Sequence, residues 1–263
     1  MPGNNALVSG NDPEYDARMT SDSAATDVPR LFPNTRWSAV LAVQARSPGS
    51  AAALEAICQA YWQPLYAFVR RSGHSPHDAE DLVQEFFRQL LEKHWLEAAD
   101  RDRGRLRTFL ITALKNFMSK EWRRASALKR GGGRAQAPFD TAFAESRFAV
   151  DPATLAPDAA FDRQWALTLL DLTVNRLRAE SAAAGNPQSF DALKSCLMAA
   201  RGTVDYAATA KQLGVSEGTA RVAAHRLRKR FREIYREEIL QTLAEGAEVD
   251  AEIRHLASAL AQP

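Results

Sequence analysis

Apolar residues recur every three or four positions through most of the chain, and apolar/polar alternation never lasts long enough for a strand. This predicts an all-α fold. One helix is expected from about Ala51 to Arg71, containing "YWQPLYAFVRR"; Pro64 removes a backbone donor and predicts a kink there, and Gly73 ends the helix. Ser75 and Pro76 read as the cap and first residue of the next helix, "DAEDLVQEFFRQLLEK". In it Ala79, Leu82, Val83, Phe86, Phe87, Leu90 and Leu91 form one buried stripe. Asp78, Asp81 and Glu85 share the opposite face, with Gln84 beside them. A polar turn from about Glu97 to Gly104 leads into a basic helix, "RLRTFLITALKNFMSKEWRRASALKR", whose core stripe is Leu106, Phe109, Leu110, Ala113, Leu114 and Phe117.

Breaks in the pattern divide the chain. Residues 1–33 are polar and Pro/Gly-containing and read as a disordered arm. Residues 34–130 form a first helical domain. Residues 131–158 open with three glycines and hold three prolines, which reads as a flexible linker. Residues 159–240 form a second helical domain, and 241–263 an amphipathic extension with Val249, Ile253, Leu256 and Leu260 along one side. The expected architecture is two helical domains joined by a linker, the C-terminal one carrying a helix-turn-helix.

That motif lies in "YAATAKQLGVSEGTARVAAHRLRKRFRE", residues 206–233. Tyr206 to Leu213 is the first helix, with Ala210 small where two helices approach. Gly214 supplies the left-handed turn, Val215 is expected to plug the core between the helices, and Ser216 caps the second helix, with Glu217 and Thr219 in its first turn. The second helix is expected in a DNA major groove. Arg221 and His225 share its exposed face with Arg226 at the edge; Arg228, Lys229, Arg230 and Arg232 lie further along, where phosphate contact is expected.

Charge sharpens this picture. The net charge is only +2, but residues 101–134 hold 11 basic residues against 2 acidic ones, and residues 221–232 hold 6 basic residues and no acid. Two basic blocks so far apart point to two polyanion contacts. In the first, Trp95, Phe109, Phe117 and Trp122 interleave with the cations, the composition of a single-strand site, although core packing claims Phe109 and Phe117. The acidic face of Asp78, Asp81 and Glu85 reads in three ways: a metal or acid–base site, a solvated face favoured by the helix dipole, or a docking face for a basic partner. No histidine shares that face, which disfavours the first; composition leaves the other two open. The two cysteines, Cys58 and Cys196, lack metal-ligand spacing and read as small core residues. No catalytic residue, metal or cofactor is expected, nor a membrane span or a signal peptide, so a cytoplasmic protein is expected.

Taken in order, "DAEDLVQEFF", "KEWRRASALKR", a loose linker and "LGVSEGTARVAAHRLRKR" resemble the extracytoplasmic-function (ECF) group of bacterial RNA polymerase sigma factors in the sigma-70 family. "YWQPLYAFVRR" is similar to the start of that family's region 2, and "VSEGTARVAAHRLRKRFRE" to its region 4. The resemblance implies that Asp78, Asp81, Gln84 and Glu85 dock on the β′ clamp helices of core RNA polymerase. It implies that the loop from Glu97 to Gly104 holds a flipped base of the promoter −10 element, with Arg107, Lys115, Asn116, Lys120, Arg123 and Arg124 steadying the strands. Region 4 would read the −35 element through Ser216, Thr219, Arg221, His225, Arg226, Arg228 and Arg230, and pack on the β flap. An anti-sigma factor or other regulator is a further partner the resemblance allows. "NPQSFDALKSCLMAA" replaces the usual start of region 4, and Ala220, Ala223 and Ala224 are smaller than is typical there, so the resemblance is to a divergent branch. The alternative is a helix-turn-helix regulator that binds operator DNA without polymerase, as a dimer on two half-sites.

Overall fold

The computed structural model describes residues 37–45, 49–100, 104–127, 141–150, 154–199, 203–244 and 247–262, with the side chains of 124–127, 141 and 198 excepted. The arm at 1–33 lies outside the described residues, as do 131–140 and 151–153 of the expected linker. The described residues form eleven α-helices and no strand: α1 Trp37–Gln44, α2 Ser50–Arg71, α3 Pro76–Glu92, α4 Leu106–Ala127, α5 Thr141–Ala149, α6 Pro157–Ala183, α7 Pro187–Leu193, α8 Ser195–Met198, α9 Tyr206–Leu213, α10 Glu217–Leu240 and α11 Val249–Ala261. The all-α reading holds. A single turn of tighter helix, Trp95–Ala98, sits between α3 and α4.

Helix α2 is apolar on nearly every side from Ala53 to Val69, and such a helix has to be enclosed. It is. Helix α3 covers one flank, α6 another, and α1 and α5 cover more of it. Pro64 lies inside α2, which continues through it to Arg71. On the α3 side, Phe86 lies 5.9 Å from Phe117 of α4 and 6.2 Å from Trp95, while Phe87 faces Trp62 at 6.3 Å. Gln44 of α1 pins the tight turn by donating its Nε2 to the carbonyls of Leu96 and Ala99, both at 2.9 Å.

On the other flank, Tyr61 of α2 stacks on Trp165 of α6 at 4.4 Å between ring centres, with the planes 9° apart. Helix α6 has 27 residues, about 40 Å at 1.5 Å per residue, and its length serves two cores. Its first half, Phe161, Trp165, Ala166 and Leu169, joins the core of α1–α4. Its second half sets Leu177 against Phe190 of α7 and Ile234 of α10. Helix α10 does the converse: Ala224 belongs to a small core with Leu193 and Cys196, whereas Ile239 reaches the large core. The sequence reading separates two helical bodies by a linker. In this structure their cores are joined by these two long helices.

The stretch read as linker also contains α5, anchored on α2 by polar contacts. Gln63 Nε2 donates to the Ala144 carbonyl at 3.0 Å, and Tyr66 Oη donates to Glu145 at 2.6 Å. Arg70 forks onto both Glu145 oxygens at 3.0 and 2.8 Å, and stacks with Arg71 over the Phe148 ring. Hydrogen bonds from Arg70, against the opposing effect of burial and with help from Tyr66, hold the Glu145 carboxyl below its usual 4.5. A depressed carboxyl pKa means that this anchorage is complete above the unfolded value and is lost as pH falls through the folded one. Hydrogen exchange of residues 141–149 is therefore expected to stay slow from pH 7 to about 5 and to quicken, after correction for intrinsic rates, below about pH 4. Unchanged protection down to pH 3 would show that Glu145 is not what holds α5.

Candidate nucleic-acid interface

The local signals that start α3 and α10 act as expected. Ser75 caps α3 by accepting the Asp78 amide at 3.2 Å, with Pro76 at the first helical position. Ser216 caps α10 by accepting the Thr219 amide at 3.2 Å, and Gly214 takes the left-handed conformation at φ 66°. Ala210 and Ala220 are buried where α9 and α10 cross. Val215 is different. It is 41% exposed, and Leu193, Cys196 and Ala224, backed by Leu213 and Leu227, fill the core it was expected to plug.

On α3 the four acidic-face residues come together but differ in availability. Asp78 and Asp81 are exposed, and His77, one turn before Asp81, comes within 3.8 Å of it, so a histidine does border this face, against the sequence expectation. Gln84 donates to Glu80 at 3.0 Å. Glu85 is largely consumed: its side chain is 17% exposed, and it accepts from Arg88 at 2.7 Å and Gln89 at 2.8 Å. Among the described residues no group of three or more His, Cys, Asp or Glu side chains could hold a metal ion, so the metal reading of this face gains no support. No described helix is long and apolar enough to cross a membrane.

Beside α3, the turn before α4 borders a hollow of about 370 Å³ lined in part by Asp100, Gly104, Arg105, Thr108, Thr112 and Asn116. Ala98, Phe109 and Ala113 complete a lining of mixed polarity, and the volume, at the lower end of ligand pockets, would admit a nucleobase. Residues 101–103 of the expected base-holding loop lie outside the described residues. Asn116, Lys120 and Arg123 are exposed, and Arg123 Nε donates back to the Ser119 carbonyl at 3.1 Å. Lys115 is exposed, ion-paired with Asp158 at 2.7 Å and set over the Phe68 ring. The side chain of Arg124 lies outside the described residues. Trp122 is 73% exposed beside Met118 and Leu82, while Phe117 is core and Phe109 packs against it.

Arg107 departs from expectation. The resemblance implies a strand contact for it, but its side chain is 6% exposed and faces inward. It pairs with Asp162 of α6 and with Glu252 of α11 at 3.0 Å, so DNA does not reach it in this arrangement.

The α9–α10 pair presents a clearer surface. Ser216, Thr219, Arg221, His225 and Arg226 are exposed along the start of α10. Arg221 leans on Glu217 at 2.6 Å and over the Tyr206 ring at 5.0 Å, which orients it. Further along, two expected phosphate contacts are engaged inside the protein. Arg228 donates to the Cys196 carbonyl at 2.9 Å and to Tyr206 Oη at 3.2 Å. Arg230 forks onto Glu180 of α6, both bonds at 2.8 Å. Lys229 and Arg232 are the more open cations there, Lys229 with 68% of its side chain exposed. Helical spacing alone could have ranked them higher, but Glu180 is 50 residues from Arg230 and invisible to it.

Comparison with known proteins agrees with one part of this layout. Residues 57–127, from within α2 to the end of α4, match the family model of sigma-70 region 2. The acidic face, the hollow and the basic helix all fall on that segment, which is thus similar to a region that serves promoter recognition and RNA polymerase binding. No curated protein and no solved structure matches the chain.

Proposed function

We propose that this chain is a sigma factor of the sigma-70 family, from a divergent branch of the ECF group. It docks core RNA polymerase, recognises the promoter −10 and −35 elements and helps open the DNA, catalysing nothing itself and acting in the cytoplasm. The observation that carries this reading is the region 2 match on α2–α4, where an exposed acidic face and a base-sized hollow share one folded unit. The exposed start of α10, with Thr219, Arg221, His225 and Arg226, supports a second DNA contact at the −35 element. Asp78 and Asp81 are the open carboxylates of that face and are assigned to the β′ clamp helices, with Gln84 and Glu85 at their side. The β flap and an anti-sigma factor are further partners under this reading.

The test is transcription from genomic promoter fragments with purified core polymerase. Specific transcripts are expected only when this protein is present; none on any fragment would sink the reading. Gel shifts without polymerase separate the alternative, because a stand-alone regulator binds operator duplex tightly by itself. Asp81→Ala is expected to weaken core binding about ten-fold, or about 1.4 kcal/mol, with an unchanged circular dichroism spectrum. Glu85→Ala should act less on binding, since Arg88 and Gln89 already occupy that carboxylate. Equal core affinity for wild type and Asp81→Ala, measured by fluorescence anisotropy, would remove the docking role.

A further inference from the structure

The last helix of the chain reaches back to the first basic block. Glu252 of α11 is 1% exposed and receives Arg107 Nη2 at 3.0 Å and Arg105 Nη2 at 3.1 Å. The other fork of Arg107 pairs with Asp162 of α6, which His255 of α11 also meets at 2.9 Å. Arg105 lines the base-sized hollow, Arg107 is buried two residues on, and Glu252 holds both cations. A guanidinium fork fits a carboxylate as it fits a phosphate. Two further contacts hold α11 down. Arg163 of α6 donates to the Leu260 carbonyl at 2.7 Å and the Gln262 carbonyl at 3.2 Å, and Arg236 of α10 pairs with Asp250 at the exposed first turn. Beneath them Val249, Leu256 and Ala259 are buried.

We propose that α11 is an intramolecular clasp that withholds Arg105 and Arg107 from nucleic acid, and that promoter engagement requires its release. This rests on the sigma-factor reading. Size supports it. Elements centred near −10 and −35 lie about 25 base pairs apart, about 85 Å at about 3.4 Å per base pair. A compact chain of this length has a radius of gyration of about 18 Å and is roughly 45 Å across. A closed molecule cannot hold both elements, and α11 touches α4, α6 and α10 together, so it fastens the closed state. At 13 residues α11 is marginal as an isolated helix, so it leaves as a unit once its contacts fail.

The experiment titrates a fluorescently labelled single-stranded oligonucleotide of mixed sequence with the full chain at several salt concentrations. Glu252→Gln weakens the hold on both arginines. It is expected to tighten binding about five-fold at low salt and to steepen the dependence of log K on log salt by up to about 1.4, near 0.7 for each new phosphate contact. Asp250→Asn unfastens only the exposed pair with Arg236 and should act in the same direction, more weakly. Asp191→Asn makes the same charge change at an exposed position of α7 and sets the baseline for charge alone. Both clasp variants behaving like Asp191→Asn, in affinity and slope, overturns the clasp. If Glu252→Gln loses the wild-type circular dichroism, Asp250→Asn decides: any tightening beyond Asp191→Asn supports the clasp, and none overturns it. Promoter-specific transcription by the wild type with core polymerase keeps the sigma-factor reading alive whichever way the clasp falls.

Discussion

Trp165→Ala is expected to destabilise the protein by about 3–5 kcal/mol, the range for removing a buried large aromatic side chain. Trp165 is fully buried in the first half of α6 and stacks nearly parallel on Tyr61 of α2. Alanine there removes the ring from a site flanked by two long helices, α2 and α6, that cannot both move in to refill it, so a cavity remains. Tyr61 loses its stacking partner as well, an effect beyond the lost area. For a chain of this size each kcal/mol shifts Tm by about 2–4 °C, so Tm should fall by about 6–20 °C. Trp122→Ala is the control: Trp122 is 73% exposed, and its loss should cost under about 1 kcal/mol. Urea unfolding of the two variants settles it. If Trp165→Ala unfolds within about 1 kcal/mol of wild type, the Tyr61–Trp165 contact does not join the two halves of the chain as the structure shows.

How much of this was legible follows from how far each signal reaches along the chain. Ser75 and Ser216 satisfy amides three residues away, and Gly214 needs only its own φ, so caps and turn could be read from adjacent letters. The buried stripe of α3 is equally local, and Ala79, Val83, Phe86, Phe87 and Leu90 lie where its period puts them. Periodicity says that a face is buried but not against what. For α6 it could not show that one half serves the core of α2 and the other the core of α7 and α10. Nor could it show α5 inside a Gly/Pro-punctuated stretch, because the anchors are Gln63, Tyr66 and Arg70, some 75 to 81 residues earlier. The open faces of the candidate site, Asp81 and Asp78 on α3 and Thr219 to Arg226 on α10, were legible as charge at helical spacing. Arg107 and Arg230 were not, since an arginine in a basic run looks the same whether it faces solvent or a distant carboxylate.

Arg107→Ala is expected to cost about 3 kcal/mol, the low end for breaking a buried ion pair by removing one partner. The cost comes less from lost attraction than from what is left behind. Glu252 remains 1% exposed with Arg105 alone to answer it, and Asp162 keeps only His255. Taking both members of the pair away should be cheaper than the two single losses together. In Arg107→Met/Glu252→Leu no buried charge is stranded at either position, and replacement of a buried pair by apolar groups of similar volume is often close to neutral. A double-mutant cycle by urea unfolding is therefore expected to show a coupling of at least about 1.5 kcal/mol between positions 107 and 252, which lie 145 residues apart in sequence. The coupling should persist at 1 M salt, where the Debye length is about 3 Å, because a pair this buried is poorly screened. The exposed Arg236–Asp250 pair, by contrast, should lose its small coupling under the same conditions. Additive costs at 107 and 252 would mean that Arg107 does not depend on Glu252 for its burial, and that the end of the chain does not govern how much of the first basic block is free to meet DNA.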